Sequence, residues 1–337
     1  MLDGVTLRNV GPLEDVQWSK LGSVNLVIGE NGTGKTFLLK SIYSALRTIE
    51  EYKRGDDQRT ASEILADKLY WTFQPDKIGD LVTKDSDQSL RFSFSVDGKD
   101  FWYEFGRDTT RKISHLENHV PPRSSNSIFL PAKEVLSLHQ NILKSRDQDK
   151  AFGFDDTYLD LARALQLSPQ GGKNYKEFAR SRESLQHMLD GKVVFDDKSK
   201  RWVFKRGNQK FPIGVTSEGT KKIAILDTLL GNRYLDLQSV VFIDEPEAAL
   251  HPSAISQLLD IIASLAKRGI QFFLASHSYF VVKKLYLIAA QQDLSIPVLS
   301  ATDGGWTQTD LKEGLTSNPI LDESIRLYEQ EVDMALQ

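Results

Sequence analysis

Short apolar runs alternate with amphipathic stretches near both ends of this chain. The run at 23–28 predicts a buried strand, and the residues from 34 to about 54 carry apolar side chains at helical spacing. The alternation returns after residue 214, where helical segments separate three further apolar runs at 240–243, 271–275 and 297–299. This order predicts the α/β fold class, in which helices cover a mainly parallel sheet.

The residues between these two regions follow other patterns. Residues 90–105 alternate apolar and polar side chains around the turn dipeptide Asp97-Gly98, which predicts a hairpin. A second ribbon is predicted at 193–204, after a mostly helical and polar stretch at 135–190. We therefore predict one domain over 1–337, with core lobes 1–50 and 210–310, an insertion of β-ribbons and a helical subdomain at 51–209, and a C-terminal helix at 317–335.

Composition narrows the class of protein. Hydrophobic residues make up 40% and charged residues 26% of the 337, as in soluble globular proteins. The net charge of −4 gives no general attraction to nucleic acid or anionic membrane. The absence of cysteine excludes disulfides and thiolate chemistry. No apolar run approaches the roughly 18 residues of a membrane helix, so we expect a cytoplasmic protein without a membrane partner.

Residues 29–36 fit the phosphate-binding pattern G-x-x-x-x-G-K-S/T between the first strand and the first helix. Such a loop wraps backbone N–H groups around phosphate oxygens, and the helix N-terminus adds its dipole. Lys35 would reach the β- and γ-phosphates, and the Thr36 hydroxyl would ligate Mg²⁺. The predicted nucleotide-binding residues of this loop are Gly29, Asn31, Gly32, Thr33, Gly34, Lys35 and Thr36.

The apolar run at 240–243 ends in two adjacent carboxylates, Asp244 and Glu245. Alone, such a pair is more typical of a helix N-cap and a first-turn acid. With a phosphate loop upstream, we expect Asp244 to hold Mg²⁺ through water and Glu245 to polarise the attacking water. Lysine, metal and carboxylate cover what phosphoryl transfer requires, so the chain is predicted to be an ATPase using ATP and Mg²⁺.

Two further segments are candidates for contact with the triphosphate. His277 follows another apolar run, where it could hydrogen-bond the γ-phosphate or simply cap a helix. Ser217 precedes an apolar helix and is predicted to be its N-cap, a position compatible with presenting N–H groups to a phosphate. We take Glu245, His277 and Lys35 as the catalytic candidates.

The ordered set resembles an ATP-binding cassette (ABC) ATPase: phosphate loop, Ser-x-Gly signature, Asp-Glu strand, a D-loop at 248–252 and a switch histidine. Within that superfamily, residues 5–16 and 245–252 resemble the SMC–RecF–OLD branch of DNA-repair and phage-defence ATPases. Residues 128–138 and 318–332 resemble standalone bacterial members of phage-defence or toxin–antitoxin type. The resemblance covers 1 to about 50 and 210–290.

This resemblance implies a head-to-tail homodimer with two ATP molecules between the subunits. The phosphate loop, Asp244, Glu245 and His277 of one copy would then face Ser217 and Gly219 of the other. Two departures stand out: residues 217–222 lack the second glycine and the glutamine of the usual signature, and no Q-loop glutamine is obvious, with Gln140 as the candidate.

The remaining question is what such an ATPase would control. Residues 290–337 show no acidic cluster of the TOPRIM nuclease type, so we expect a separate effector protein, a nuclease or a toxin, in anti-phage defence or DNA maintenance. An alternative is a DNA-binding recombination or repair ATPase of the RecF type. A transporter subunit fits the signature and the insertion less well. DNA could contact the basic side chains of Lys198, Lys200, Arg201, Lys205, Arg206 and Lys210, although such a charged ribbon is more often a solvated face.

Overall fold

The computed structural model describes residues 1–169, 178–196, 198–302 and 305–336. Its strands are β1 Leu2–Val10, β2 Leu13–Trp18, β3 Val24–Ile28, β4 Leu90–Val96, β5 Lys99–Phe105, β6 His115–Asn118, β7 Ile128–Leu130, β8 Lys192–Asp196, β9 Arg201–Arg206, β10 Gln209–Pro212, β11 Val240–Asp244, β12 Gln271–Ser276, β13 Pro297–Thr302 and β14 Gly305–Asp310. Its α-helices are α1 Lys35–Glu51, α2 Ala61–Phe73, α3 His139–Leu143, α4 Asp156–Leu165, α5 Ala179–Leu189, α6 Glu218–Gly231, α7 Pro252–Ala266, α8 Tyr279–Gln292 and α9 Pro319–Ala335.

The central sheet has the strand order β14-β13-β3-β12-β11-β7, in which all neighbours except β14 are parallel. Every residue of β3, β11 and β12 is buried, because an apolar cluster covers each face of the sheet. Such strands read as continuous apolar runs, which is why the sequence predicts them. The α/β class is confirmed.

A five-stranded antiparallel sheet, ordered β2-β1-β4-β5-β6, lies against the same core. The predicted hairpin at 90–105 is present as β4 and β5, whose Phe94 and Phe101 rings stack at 5.1 Å. It is not a separate ribbon, because β4 also pairs with β1. Trp18 meets Phe273 of the central sheet edge to face at 5.6 Å and joins the two sheets.

The predicted insertion therefore contributes to both large sheets. Strand β7 lies inside 51–209 and still pairs with β11, just as β4 pairs with β1. Local periodicity does not reveal pairing across 80 or more residues, so the sequence could not show this.

Helices α3 to α5 account for most of the predicted helical stretch, and residues 170–177 of that stretch lie outside the described part of the chain. Next to α4, the P-loop helix α1 ends in a buried ionic cluster. Lys68 lies 2.9 Å from Glu51 and 3.2 Å from Asp160, and Arg47 lies 3.1 Å from Glu50. Burial of opposite charges at these distances fixes α2 and α4 against α1.

The predicted second ribbon is the β8–β9 pair, to which β10 adds a third strand that the sequence analysis missed. This small sheet ends only five residues before Ser217. The C-terminal helix is present as α9 and contains no buried residue. Among the described residues, none of the helices combines the length and the apolarity needed to cross a bilayer.

Candidate nucleotide-binding site

The phosphate loop joins the carboxyl end of β3 to the first residue of α1. Gly34, the residue before the helix, has a φ of 93°, in the left-handed region that glycine adopts without strain. A Cβ there would also lie 2.9 Å from Leu13 Cδ2. Gly29 has a φ of 154°, and a Cβ on it would lie 2.8 Å from Ala301 Cβ. Both positions therefore require glycine for conformation and for space.

Lys35 is buried and points back over the loop. Its Nζ donates to the carbonyl oxygens of Gly29 at 2.8 Å and Glu30 at 2.7 Å. Burial lowers the pKa of Lys35, while the negative charges of Asp244 and Glu245 act in the opposite direction. The ammonium group is thus held where phosphate oxygens could replace the two carbonyls.

Thr36 and Asp244 come together at the carboxyl edge of the sheet. The Thr36 hydroxyl donates to Asp244 Oδ2 at 2.9 Å. Burial raises the pKa of Asp244, and the hydrogen bond from Thr36 opposes this. A hydroxyl and a carboxylate oxygen in contact are the hard donors that Mg²⁺ prefers, so this pair fits the ion.

Glu245 begins the turn after β11 with a φ of 49°, an uncommon conformation for a residue other than glycine. Two backbone contacts stabilise it. Its N–H donates to the Ala275 carbonyl at 2.9 Å, and its carbonyl accepts from Lys222 Nζ at 2.5 Å. The side chain is 36% exposed, so its carboxylate can reach solvent and a bound molecule.

The sequence analysis missed Lys222, which connects two parts of the site. It lies on α6, one turn beyond Gly219, and burial lowers its pKa to about 8. Gly219 itself packs against the turn after Glu245, where an added Cβ would lie 2.7 Å from the Ala249 carbonyl oxygen. The start of α6 is therefore fixed to the segment that carries Glu245.

His277 lies beside this turn, with Nδ1 3.6 Å from Glu245 Oε1. Glu247, a second residue that the sequence analysis missed, positions it. Glu247 Oε1 accepts from Ser276 Oγ at 2.8 Å and from the His277 N–H at 3.2 Å. Its other oxygen is buried without a hydrogen-bond partner in the described structure. The only sequence signal for this role is the acidic residue two positions after Glu245.

A cavity of about 610 Å³ opens over the loop. Predicted residues that line it are Asn31, Gly32, Gly34, Lys35, Thr36, Asp244 and Glu245. Unpredicted residues that line it are Phe37, Lys40, Thr72, Phe73, Gln74 and Asp155. Lys40 donates to Asp155 at 2.6 Å across this wall. The Q-loop candidate Gln140 is not among the described lining residues; it lies exposed on α3, whereas Gln74 does line the cavity.

Gly29 and His277 line a neighbouring cavity of about 880 Å³, together with Asn31 and the first two turns of α9. Thr33 lines a third one of about 650 Å³ with Pro12 and Trp306. Ser217 is exposed and caps α6, accepting from the Thr220 N–H at 3.1 Å, so the N-cap prediction is confirmed. Neither Ser217 nor Gly219 is among the described residues that line the 610 Å³ cavity.

The site consists of a strand, a glycine-bearing loop with a buried lysine, a helix and a Thr–Asp pair at the edge of a parallel sheet. These features together define a P-loop ATPase of ABC-like type. The chain belongs to the family described as "AAA domain, putative AbiEii toxin, Type IV TA system", whose profile matches residues 24–283.

Other known proteins support the same class. The chain is 27% identical over 114 residues to the glutamate transport ATP-binding protein GluA of Corynebacterium efficiens, covering 34% of this chain and 41% of that relative. The fold is similar to an SMC head bound to the C-terminal winged-helix domain of ScpA, with a TM-score of 0.52, 12% identity, and coverage of 92% of this chain and 97% of that one. An Smc head with an extended coiled coil, bound to the C-terminal domain of ScpA and derived from Pyrococcus furiosus, gives a TM-score of 0.51, 12% identity and 98% coverage of both chains.

The family match and the similarity to GluA identify an ABC-like ATPase. The two SMC heads show that its fold is that of an SMC head. Both findings agree with the resemblance noted in the sequence.

Proposed function

We propose that this protein is an ATP-hydrolysing switch that closes head to tail around two ATP molecules and thereby controls a separate effector protein. One observation carries the proposal. Lys35, Thr36, Asp244 and Glu245 converge on one cavity, whereas Ser217 stands exposed outside it. A second copy would supply the missing face of the site.

Each residue of the cavity has a role in this scheme. Lys35 exchanges its contacts with the loop carbonyls for contacts with the β- and γ-phosphates. Thr36 and Asp244 would hold Mg²⁺, which neutralises phosphate charge when bound. Glu245 accepts a proton from, or orients, the attacking water, because its carboxylate is accessible beside them. His277, fixed by Glu247, donates a hydrogen bond to the γ-phosphate.

Closure follows from where the phosphate contacts are made. Ser217 and Gly219 are not among the described residues that line the cavity, so in this scheme a second copy brings them to the γ-phosphate. A ligand shifts an equilibrium by its differential affinity for the two states, so ATP favours the closed dimer and its hydrolysis releases it.

The effector is proposed from the relatives. The family description names a toxin of a type IV toxin–antitoxin system, and two SMC heads of similar fold are described as bound to a domain of ScpA. We propose a nuclease or toxin partner, in anti-phage defence or DNA maintenance. Co-purification of the neighbouring gene product with ATP-trapped protein, and its release on exchange to ADP, tests this.

The dimer is tested with Glu245→Gln protein in ATP and Mg²⁺. We expect hydrolysis at least about 10²-fold slower, the size of losing a positioned base, and a mass by light scattering of twice the single chain. ADP should give the single-chain mass. Glu313→Gln makes the same chemical change at an exposed site distant in sequence and should behave as wild type. Unchanged hydrolysis in Glu245→Gln, or a single-chain mass with trapped ATP, would refute the proposal.

A further inference from the structure

The C-terminal helix α9 is an amphipathic element that the described chain leaves uncovered beyond its first turn, where Ile320 packs against the core. None of its 17 residues is buried. Ile325, Tyr328 and Val332 form an apolar stripe at i, i+3 and i+7, with 47%, 65% and 37% of their surface exposed. A helix of this length is marginal in water without packing, so the stripe calls for a partner.

One border of that stripe is acidic. Asp322, Glu329 and Asp333 stand at i, i+7 and i+11, which places them on one side of the helix beside the apolar stripe; we name these three the acidic edge. Arg326, at i+4 on the same side, is paired with Glu323 at 2.6 Å. Across 319–335 there are five acidic residues and one arginine. Two such helices would repel, so the charge argues against pairing of α9 with a second α9 and favours a basic surface.

The small sheet β8–β9–β10 presents such a surface. Lys205 is directly opposite Lys192 on one side and Lys210 on the other, so three lysines form one row across the sheet. Like charges directly opposite one another destabilise a sheet. Asp196 offsets this row only weakly, at 3.9 Å from Lys210.

A second row on the same face, two residues along, consists of Val194, Val203 and Pro212, all partly or fully exposed. We name the two rows together the basic face. The opposite face of the sheet packs inward through Phe195 and the buried Trp202. An acidic and an apolar strip on α9 thus match a basic and an apolar row on this sheet.

The positions of α9 and of the basic face in the molecule support a contact between them. The first turns of α9 line the 880 Å³ cavity with Gly29, Asn31 and His277, beside the phosphate loop. Strand β10 ends at Pro212, five residues before Ser217. This inference rests on the head-to-tail dimer proposed above, in which the phosphate loop of one copy faces Ser217 of the other. In that dimer, α9 of one copy and the basic face of the other would meet at the edge of the interface.

We propose that α9 of each copy docks on the basic face of the second copy, with the acidic edge against the lysine row and the apolar stripe against the row of Val194, Val203 and Pro212. The occupant is a second copy of this chain. The partly exposed apolar row next to the lysines favours an amphipathic helix over a phosphate backbone. This contact makes closure of the dimer sensitive to salt.

The test reverses charge on each side in the Glu245→Gln background with trapped ATP. Lys205→Glu with Lys210→Glu should raise the dimer dissociation constant about tenfold at low salt, and Glu329→Lys with Asp333→Lys should do the same. Combining all four changes should bring it back to within about threefold of the parent, since the pairing is restored with opposite sign. Lys99→Glu, an exposed lysine on β5, is the matched control and should have no effect.

The outcomes separate the two proposals. If the Glu245→Gln parent does not dimerise with ATP, the proposed function fails. If it dimerises and either reversal leaves the constant unchanged, or the combination does not recover, the docking proposal is overturned. Binding of a fluorescent 30-base-pair DNA duplex that is lost in the Lys205/Lys210 variant, with no effect of the α9 reversal on dimerisation, would assign the basic face to nucleic acid instead. The α9 reversal alters a helix without buried residues, so it remains informative if the sheet variant does not fold.

Discussion

The phosphate-loop half of the site and the signature end of α6 are built in different ways. The loop half is already organised in a single chain: Lys35 has two carbonyl partners, and Thr36 bonds Asp244. Ser217 at the start of α6 is exposed, and within the described part of the chain its side chain bonds Thr220 of its own helix turn. The loop half is thus organised by contacts within one chain, whereas the Ser217 side chain faces solvent. This difference supports the proposal of a site that two copies complete together.

The largest expected effects distinguish ATP binding by one chain from closure of the dimer. Lys35→Met should weaken ATP binding at least about 10²-fold, because it removes the buried charge that faces the phosphates. Ser217→Arg should leave ATP binding by the single chain within about twofold, yet lower turnover about 10²-fold by blocking the approach of the second copy. Fluorescent-nucleotide titration and phosphate release measure the two quantities. Equal loss of binding in both variants would show that a single chain contains both halves.

A smaller effect concerns the metal within the organised half. Thr36→Val keeps the shape of the side chain and removes the hydroxyl that bonds Asp244. We expect the Mg²⁺ concentration for half-maximal hydrolysis to rise about tenfold. Loss of a metal ligand, or of a residue that hydrogen-bonds to a ligand, lowers metal affinity on that scale. Thr110→Val, at an exposed position that is not among the described lining residues of the cavity, is the control. An unchanged Mg²⁺ dependence would remove Thr36 from the ligand set.

The smallest effect tests the connection between the halves. The pKa of Lys222 is about 8 in the folded chain and near 10.5 when unfolded. Between these values the unfolded chain retains a proton that the folded chain has released, so wild-type stability should rise with pH relative to Lys222→Met. The expected slope is about 1 kcal/mol per pH unit. Urea unfolding in EDTA at pH 8, 9 and 10 measures it. A parallel pH dependence of the two proteins would show that Lys222 is not buried beside Glu245.

What the sequence could predict depended on distance along the chain. The strand, loop and helix around Lys35 lie within one window of about 30 residues, so the pattern alone placed them. Lys222 and Glu247 escaped notice because their roles arise from contacts with Glu245 and with Ser276, 23 and 29 residues away. The pairing of β1 with β4 and of β7 with β11 spans even more of the chain and leaves no local signal. The role of Ser217 in a second copy remains a prediction that a single chain cannot display.

The hydrogen bonds from the Lys35 ammonium group to the Gly29 and Glu30 carbonyls have a consequence for the affinity for ATP. The two carbonyl oxygens orient the ammonium group, so the backbone of the same chain sets the position of this charge. The phosphate oxygens of ATP have to displace these two carbonyl oxygens from the Lys35 ammonium group. The affinity for ATP therefore reflects the difference in free energy between the two sets of contacts.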